Sequence, residues 1–190
     1  MARKDRKLKE IRPSMPVVIG AGITEQWYFT HLKALKKLQI QIRPRFFGNE
    51  HIQALTKRVE HVLSTEGRAV VVFDKDVQAW DSGEKARYEA FIKRYGKDRR
   101  VAICDSMPSI EYWFLLHYLN TNRYYGTSKA VVEELLRFIP KFEKTDRFLH
   151  ARKWVEELCA DGKLELATER ALAFGDEGES YTNIPNLFLT

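Results

Sequence analysis

The sequence predicts an α/β protein in which helices flank a parallel β-sheet and an all-helical C-terminal extension packs on that core. Three observations support this fold class. Strand-like and helix-like segments alternate from residue 16 to residue 104, which is the order typical of a parallel sheet. Residues 69–73 form an apolar run, as expected of a central strand covered on both faces. After residue 104 only helical periodicity continues.

Local signals place the elements in chain order. Strands are predicted at residues 16–19, 39–47, 69–73 and 100–104. Helices are predicted between them at residues 24–37, 50–63 and 81–95. Thr24 is the expected N-cap of the first helix, and Asp81 to Glu84 forms a capping-box pattern that opens the third. The C-terminal helices are predicted at residues 109–119, 128–138, 146–159 and 164–173, and residues 175–190 are predicted to pack as coil.

Length and hydropathy limit the class of protein. The 190 residues suit a basic flexible arm at residues 1–14 and a single domain at residues 15–190. Within that domain we expect a β-α-β core over residues 15–105 and a helical part over residues 106–190. The sequence has neither an apolar stretch long enough to span a membrane nor an apolar signal region, so we expect a cytoplasmic protein with no membrane partner.

The charge pattern bears on possible partners. The formal net charge is +6, and residues 1–12 hold six Lys or Arg against two acids. A basic arm of this kind contacts phosphate backbones in many nucleic-acid-binding proteins, whereas in others it is a solvated chain end. Nucleic acid is therefore an expected partner.

The end of the apolar strand carries two carboxylates, Asp74 and Asp76. Ligands of parallel α/β sheets bind outside the carboxyl ends of the strands. If the chain stays extended, both side chains point the same way, and two such close carboxylates need a cation or a proton. Mg²⁺ suits the pair because it prefers oxygen ligands. The alternative is that Asp74 ends the strand and Asp76 begins a turn.

The turn after the first predicted strand is a second candidate. Gly20 and Gly22 would let backbone N–H groups approach a phosphate, and the helix that begins near Thr24 would favour the negative charge. Glu25 lies in the first turn of that helix, where it could serve chemistry or only complement the helix dipole.

Glu111 is the third candidate because it stands in the first turn of an otherwise very apolar helix. Burying a carboxylate there is costly unless it is paired or bound to metal, although an exposed acid at a helix start is the alternative. His117 is expected to be a core histidine. Lys129 and Lys144 could contact a phosphate, but they are expected to be solvated side chains.

Three motifs resemble the RloB-like family. They are the Gly22-Ile-Thr-Glu25 turn, the strand end at Asp74-Lys-Asp76, and Ser106-Met-Pro-Ser-Ile-Glu111-Tyr-Trp-Phe-Leu-Leu-His117. The closing Tyr181-Thr-Asn-Ile-Pro-Asn-Leu187 is similar to the C-terminal end of that family. The motifs follow one another in the family's order over nearly the whole chain.

The resemblance implies a Toprim-like (topoisomerase–primase) sheet and a Mg²⁺- or Mn²⁺-dependent nuclease of anti-phage or restriction–modification loci. Asp74 and Asp76 match the metal-binding Asp-x-Asp motif, and Glu111 is the expected third ligand. The family's first glutamate would precede Gly22, where this chain has Ala21. Either Glu25 or Glu111 replaces that catalytic acid, or the chain is a non-catalytic subunit that binds nucleic acid or a partner protein and keeps the fold with a residual metal site. A co-encoded ATPase and a homo-oligomer are further partners the resemblance allows.

Overall fold

The computed structural model describes residues 15–20, 22–43, 51–65, 67–75, 81–176 and 178–189. Five strands form one sheet in the order β2-β1-β3-β4-β5. The strands are β1 (Val17–Gly20), β2 (Gln41–Ile42), β3 (Ala69–Asp74), β4 (Val101–Met107) and β5 (Tyr181–Thr182). The first four are parallel to their neighbours, and β5 runs antiparallel to β4. The predicted α/β fold with a mostly parallel sheet is therefore confirmed.

Helices surround this sheet and make up most of the C-terminal part. They are α1 (Ile23–Lys36), α2 (Ile52–Thr65), α3 (Ser82–Tyr95), α4 (Ile110–Leu116), α5 (Ser128–Leu135), α6 (Asp146–Leu149), α7 (Lys153–Cys159) and α8 (Lys163–Phe174), followed by a 3₁₀ helix at Ile184–Leu189. Within the described ranges, no helix combines the length and the apolar character that crossing a membrane requires.

Strand β3 separates two hydrophobic clusters. Val70 and Val72 pack with residues of α1, α4 and the later helices, whereas Val71 and Phe73 pack with residues of α2 and α3. Alternate residues of a strand point to opposite faces, so a strand covered on both sides must be apolar at every position. The apolar run at residues 69–73 is explained by this double coverage.

Two local predictions about the helices are wrong. The N-cap of α1 is Gly22, and Thr24 lies buried within the first turn of the helix. The expected helix at residues 146–159 is divided into α6 and α7. The carbonyl oxygen of Leu149 accepts hydrogen bonds from the Trp154 side chain at 3.2 Å and lies 3.0 Å from the His31 ring, so these side chains replace the bond that a continuous helix would form there.

The C-terminal tail differs from the predicted coil. It adds β5 to the sheet, pairing Thr182 with Ser106, and then forms the 3₁₀ helix. Two residues are too few for a strand signal in the sequence, and β4 extends three residues beyond its predicted end to meet them. The predicted strand at residues 39–47 is seen at Gln41–Ile42, and residues 44–47 lie outside the described ranges.

The strand order creates a crevice between β1 and β3. The chain leaves β1 for β2 on one side and then crosses to β3 on the other side. In open α/β sheets, ligands bind outside the carboxyl ends of the strands at such a reversal. Glu25 follows the end of β1 and Asp74 is the last residue of β3, so the topology brings both acids to this edge.

Candidate functional site

Three acids meet at this edge of the sheet, and we call Glu25, Asp74 and Glu111 the acidic cluster. Each comes from a different element: the start of α1, the end of β3 and the start of α4. They lie close enough that the carboxylates of Glu25 and Glu111 both raise the pKa of Asp74. The structure thus brings together three of the four acids predicted as site residues.

Helix α4 fixes the position of Glu111. All seven of its residues are buried, and Glu111 itself has no exposed surface. The Trp113 indole N–H donates to the Tyr28 hydroxyl at 2.7 Å, which ties α4 to α1. The backbone N–H of Ile110 donates to the Asp74 carboxylate at 2.8 Å, which ties α4 to β3. The predicted burial of an acid at the start of this helix is confirmed.

The two oxygens of Glu111 have different surroundings. Its Oε2 accepts hydrogen bonds from Ser109 Oγ at 2.6 Å and Ser128 Oγ at 3.3 Å, and it forms a salt bridge with Lys144 Nζ at 2.9 Å. Its Oε1 is buried without a hydrogen-bond partner among the described residues. A buried carboxylate oxygen with no donor is costly, so this atom is suited to a cation or a proton.

Lys144 is the residue that the sequence prediction missed. It was expected in solvent, but its ammonium group faces the acidic cluster and contacts Glu111 and Ser128. Phe142 and Leu149 are buried on either side of it, so the intervening loop is held against the core. Burial lowers the pKa of Lys144, but Glu111, Asp74 and Glu25 outweigh burial and the pKa rises. The prediction failed because Lys144 lies far from Glu111 in sequence.

Glu25 folds back over the glycine turn. A side chain at position 22 would collide with the Glu25 carboxylate, and one at position 20 would lie 3.1 Å from its Cβ. The φ angle of Gly22 is −143°, which any residue adopts, so glycine there makes room for the Glu25 carboxylate and is not required by the backbone conformation. A space of about 10 Å³ remains beside Gly20, Gly22 and Glu25, roughly enough for one water. Phosphate binding by Gly20, Gly22 and Thr24 stays a prediction.

The electrostatics of the cluster follow from one lysine facing three acids. The pKa of Glu25 is raised to about 7, mainly by burial and also by the Glu111 carboxylate, whereas a hydrogen bond from the Glu25 backbone and the charge of Lys144 act in the opposite direction. Burial likewise raises the pKa of Asp74 well above its ordinary value, and the two neighbouring acids add to that effect. Without a bound metal, the acidic cluster therefore retains protons near neutral pH.

Some predicted residues lie elsewhere. Asp76 and Ala21 fall outside the described ranges. Across the described part of the chain, no group of three or more His, Cys, Asp or Glu side chains has the arrangement needed to hold a metal ion. His117 lies in the core as expected, where Nδ1 is 2.9 Å from the Trp113 carbonyl oxygen and burial lowers its pKa to about 3, but its buried Nε2 has no hydrogen-bond partner among the described residues.

Comparison with known proteins identifies the family. The family model described as RloB-like protein matches residues 16–188, which covers the acidic cluster and the C-terminal tail. No curated protein and no solved structure matches the chain. Because the family match spans nearly all of the 190 residues, the chain belongs to the RloB-like family.

Proposed function

We propose that the protein is a metal-dependent nuclease that binds Mg²⁺ or Mn²⁺ at the acidic cluster and acts on nucleic-acid phosphodiesters. The observation that carries this proposal is the deficit of positive charge. Three carboxylates share Lys144, and Glu111 Oε1 is buried without a hydrogen-bond partner among the described residues. A divalent cation would supply both the missing charge and the missing contact.

The donor set fits Mg²⁺ in its chemistry. Asp74 and Glu111 provide hard carboxylate oxygens, and protein-bound Mg²⁺ often uses only one or two carboxylates with waters and substrate phosphates. Two protein ligands therefore suffice, which agrees with the lack of a three-residue metal group within the described ranges. Asp76 remains the predicted additional ligand.

Each residue then has a proposed role. Asp74 and Glu111 would hold the metal, and a bound metal would supply charge to polarise the phosphate and to lower the pKa of water. Glu25, with a pKa of about 7, is the proposed proton acceptor, because a general base works best with a pKa near the working pH. Lys144 orients Glu111 through its salt bridge.

A second function is favoured by the same salt bridge. Lys144 already compensates one of the three carboxylates, as expected of a site that has lost its metal and keeps only the fold. With alanine at position 21, the protein would then be a non-catalytic subunit that binds nucleic acid or a partner. Under either function, membership of the RloB-like family supports a role in anti-phage defence, with a co-encoded ATPase and self-association as proposed partners.

Thermal unfolding with and without metal distinguishes the two functions. For a metal enzyme, Mg²⁺ at 100 times its dissociation constant should stabilise the protein by about 2.7 kcal/mol. The double variant Asp74→Asn, Glu111→Gln should lose this response. Glu84→Gln is the matched control, since Glu84 is a buried acid that contacts Ile52 and Arg87 away from the cluster. A double variant that responds to Mg²⁺ like the parent contradicts the metal site.

Activity is tested with Mn²⁺ on single- and double-stranded DNA and RNA. We expect weak cleavage, because an acid at position 21 is missing and general-base catalysis is worth roughly 10²–10⁴-fold in rate. Ala21→Glu should increase the cleavage rate. Strong parental cleavage that is lost in Glu111→Gln and unaffected by Ala21→Glu would instead make Glu111 the catalytic base.

A further inference from the structure

A cavity of about 500 Å³ lies on the face of the sheet opposite the acidic cluster. It is bounded by strands β3, β4 and β5, helices α3 and α8 and the C-terminal segment, and its polar lining includes Lys75, Tyr88, Asp105, Asp176, Tyr181, Asn183 and Asn186. Cavities of roughly 300–1,000 Å³ with a few convergent polar groups are typical of small-molecule sites. We propose that this cavity binds one nucleotide, with its phosphate on Lys75 and its base beside Tyr88 and Tyr181.

Strand geometry places Lys75 in the cavity. Its backbone N–H donates to the Ser106 carbonyl oxygen at 2.8 Å, which extends the pairing of β3 with β4 by one residue. Because successive residues of a strand point to opposite faces, Asp74 faces the acidic cluster and Lys75 faces the cavity. A ligand phosphate at Lys75 would therefore lie at the same edge of the sheet as the acidic cluster.

The ammonium group of Lys75 lies between two aromatic rings. It is 4.8 Å from the centre of the Tyr88 ring and 5.4 Å from that of Tyr181. Within the described ranges these ring faces are the contacts seen for the ammonium group, and a cation so placed can move to a phosphate, with which it forms a charge-assisted hydrogen bond. When the flexible lysine turns to the phosphate, the two rings can stack against a base, as aromatic side chains do in single-strand binding proteins.

The rest of the lining suits a base and a sugar. Asp105 accepts one hydrogen bond on each oxygen, from the Tyr181 hydroxyl at 2.8 Å and from the Asn183 amide at 2.7 Å, and a carboxylate can accept about four. Together with the amide of Asn186 these groups offer acceptors and donors to base edges and ribose hydroxyls. A lipid would place apolar chains against these polar groups, and inorganic phosphate alone would be too small to contact the two rings as well.

Calorimetric titration in EDTA tests the site without any contribution from metal at the acidic cluster. The probes are 5′-AMP, adenosine and inorganic phosphate. We expect 5′-AMP to bind more tightly than either fragment. Lys75→Met should reduce AMP affinity about tenfold or more without weakening adenosine, because it removes only the charge-assisted contact. Tyr88→Leu should weaken both. Lys93→Met, an exposed charge removal on the same helix, is the control and should change neither.

The same titration with a 5′-phosphorylated trideoxyadenylate identifies the source of the nucleotide. Tighter binding than AMP assigns the cavity to one unit of a single strand, and weaker binding assigns it to a free nucleotide. The proposal is overturned if no probe binds, if AMP and adenosine bind equally, or if Lys75→Met behaves like Lys93→Met. Loss of AMP binding in Asp74→Asn would also overturn it, because the ligand would then lie on the other face. A failed metal response leaves these outcomes unchanged.

Discussion

The two faces of the sheet bury acids in opposite ways. On the face covered by α2 and α3, Glu84 accepts from the Ile52 N–H at 2.7 Å and from Arg87 at 2.9 Å, and Asp105 accepts from Tyr181 and Asn183. Each oxygen of these two acids has a donor. On the other face, Glu25, Asp74 and Glu111 crowd around Lys144, and Glu111 Oε1 lacks a hydrogen-bond partner among the described residues.

The difference shows which buried acids have hydrogen-bond donors from the protein on each oxygen and which do not. A buried carboxylate is tolerated where hydrogen bonds replace those it made with water. Glu84 and Asp105 meet this condition through the protein alone and so stabilise local structure, at the start of α2 and at the junction of β4 with the tail. The acidic cluster does not meet it, because the nearby like charges favour protons or a cation. In the metal-free protein the crowding of these carboxylates lowers the free energy of unfolding, and binding of a cation would offset that loss.

The largest expected effect is the pH dependence of the metal-free protein. The pKa of Glu25 is about 7 in the folded state, against 4.5 when unperturbed. Its contribution to stability is therefore complete below about pH 4.5 and is lost as the pH rises through about 7, with a total on the order of 3 kcal/mol. Asp74, whose pKa is also raised, acts in the same direction.

This dependence is measured as a difference between two proteins. His117, whose pKa is lowered to about 3, gives the opposite slope because its contribution is lost as the pH falls below its unperturbed 6.5. Urea unfolding is therefore measured for the parent and for Glu25→Gln over the same pH range. The contribution of His117 cancels in the difference because both proteins contain it. We expect the parent to lose stability relative to Glu25→Gln with rising pH, and Mg²⁺ to reduce the loss because metal binding releases the protons. Parallel pH profiles would contradict a crowded cluster.

The second effect concerns the lysine that the cluster shares. Lys144→Met should destabilise the metal-free protein by about 1–3 kcal/mol, below the roughly 3–5 kcal/mol of a fully buried pair, because the Lys144 side chain is 42% exposed. Chemical unfolding in EDTA measures the loss. Lys129→Met removes a solvent-exposed pair with Glu133 and should change stability by less than about 1 kcal/mol. Equal effects of the two substitutions would mean that Lys144 is a surface lysine.

The contrast between the faces could be predicted only in part. The apolar strand at residues 69–73, the crevice at its carboxyl end and the buried acid at position 111 follow from local periodicity. The hydrogen bonding of the acids on the other face could not be predicted from local periodicity. The donors to Asp105, for example, come from Tyr181 in a two-residue strand and from Asn183 next to it. Lys144 was missed for the same reason: its partner Glu111 is distant in sequence, and only packing of the intervening helices brings them together.

The smallest effect is the most direct test, because it exchanges one acid for its amide on each face. Asp74→Asn keeps an oxygen that can accept from the Ile110 N–H and removes a charge that Glu25 and Glu111 disfavour. We expect it to stabilise the metal-free protein by about 1 kcal/mol near pH 8. Glu84→Gln weakens charge-assisted bonds with Ile52 and Arg87 and should destabilise by about 1 kcal/mol.

Opposite signs in urea unfolding would therefore separate the two faces even though both substitutions are chemically conservative. Mg²⁺ should then reverse the order of stability of the two variants. It stabilises Glu84→Gln as it stabilises the parent, whereas Asp74→Asn lacks one of the metal ligands. If Asp74→Asn destabilises the metal-free protein as Glu84→Gln does, the bond from Ile110 outweighs the repulsion. Asp74 would then stabilise the start of α4 through the Ile110 N–H, as Glu84 stabilises the start of α2 through the Ile52 N–H, and the deficit of positive charge would lie at Glu111 alone.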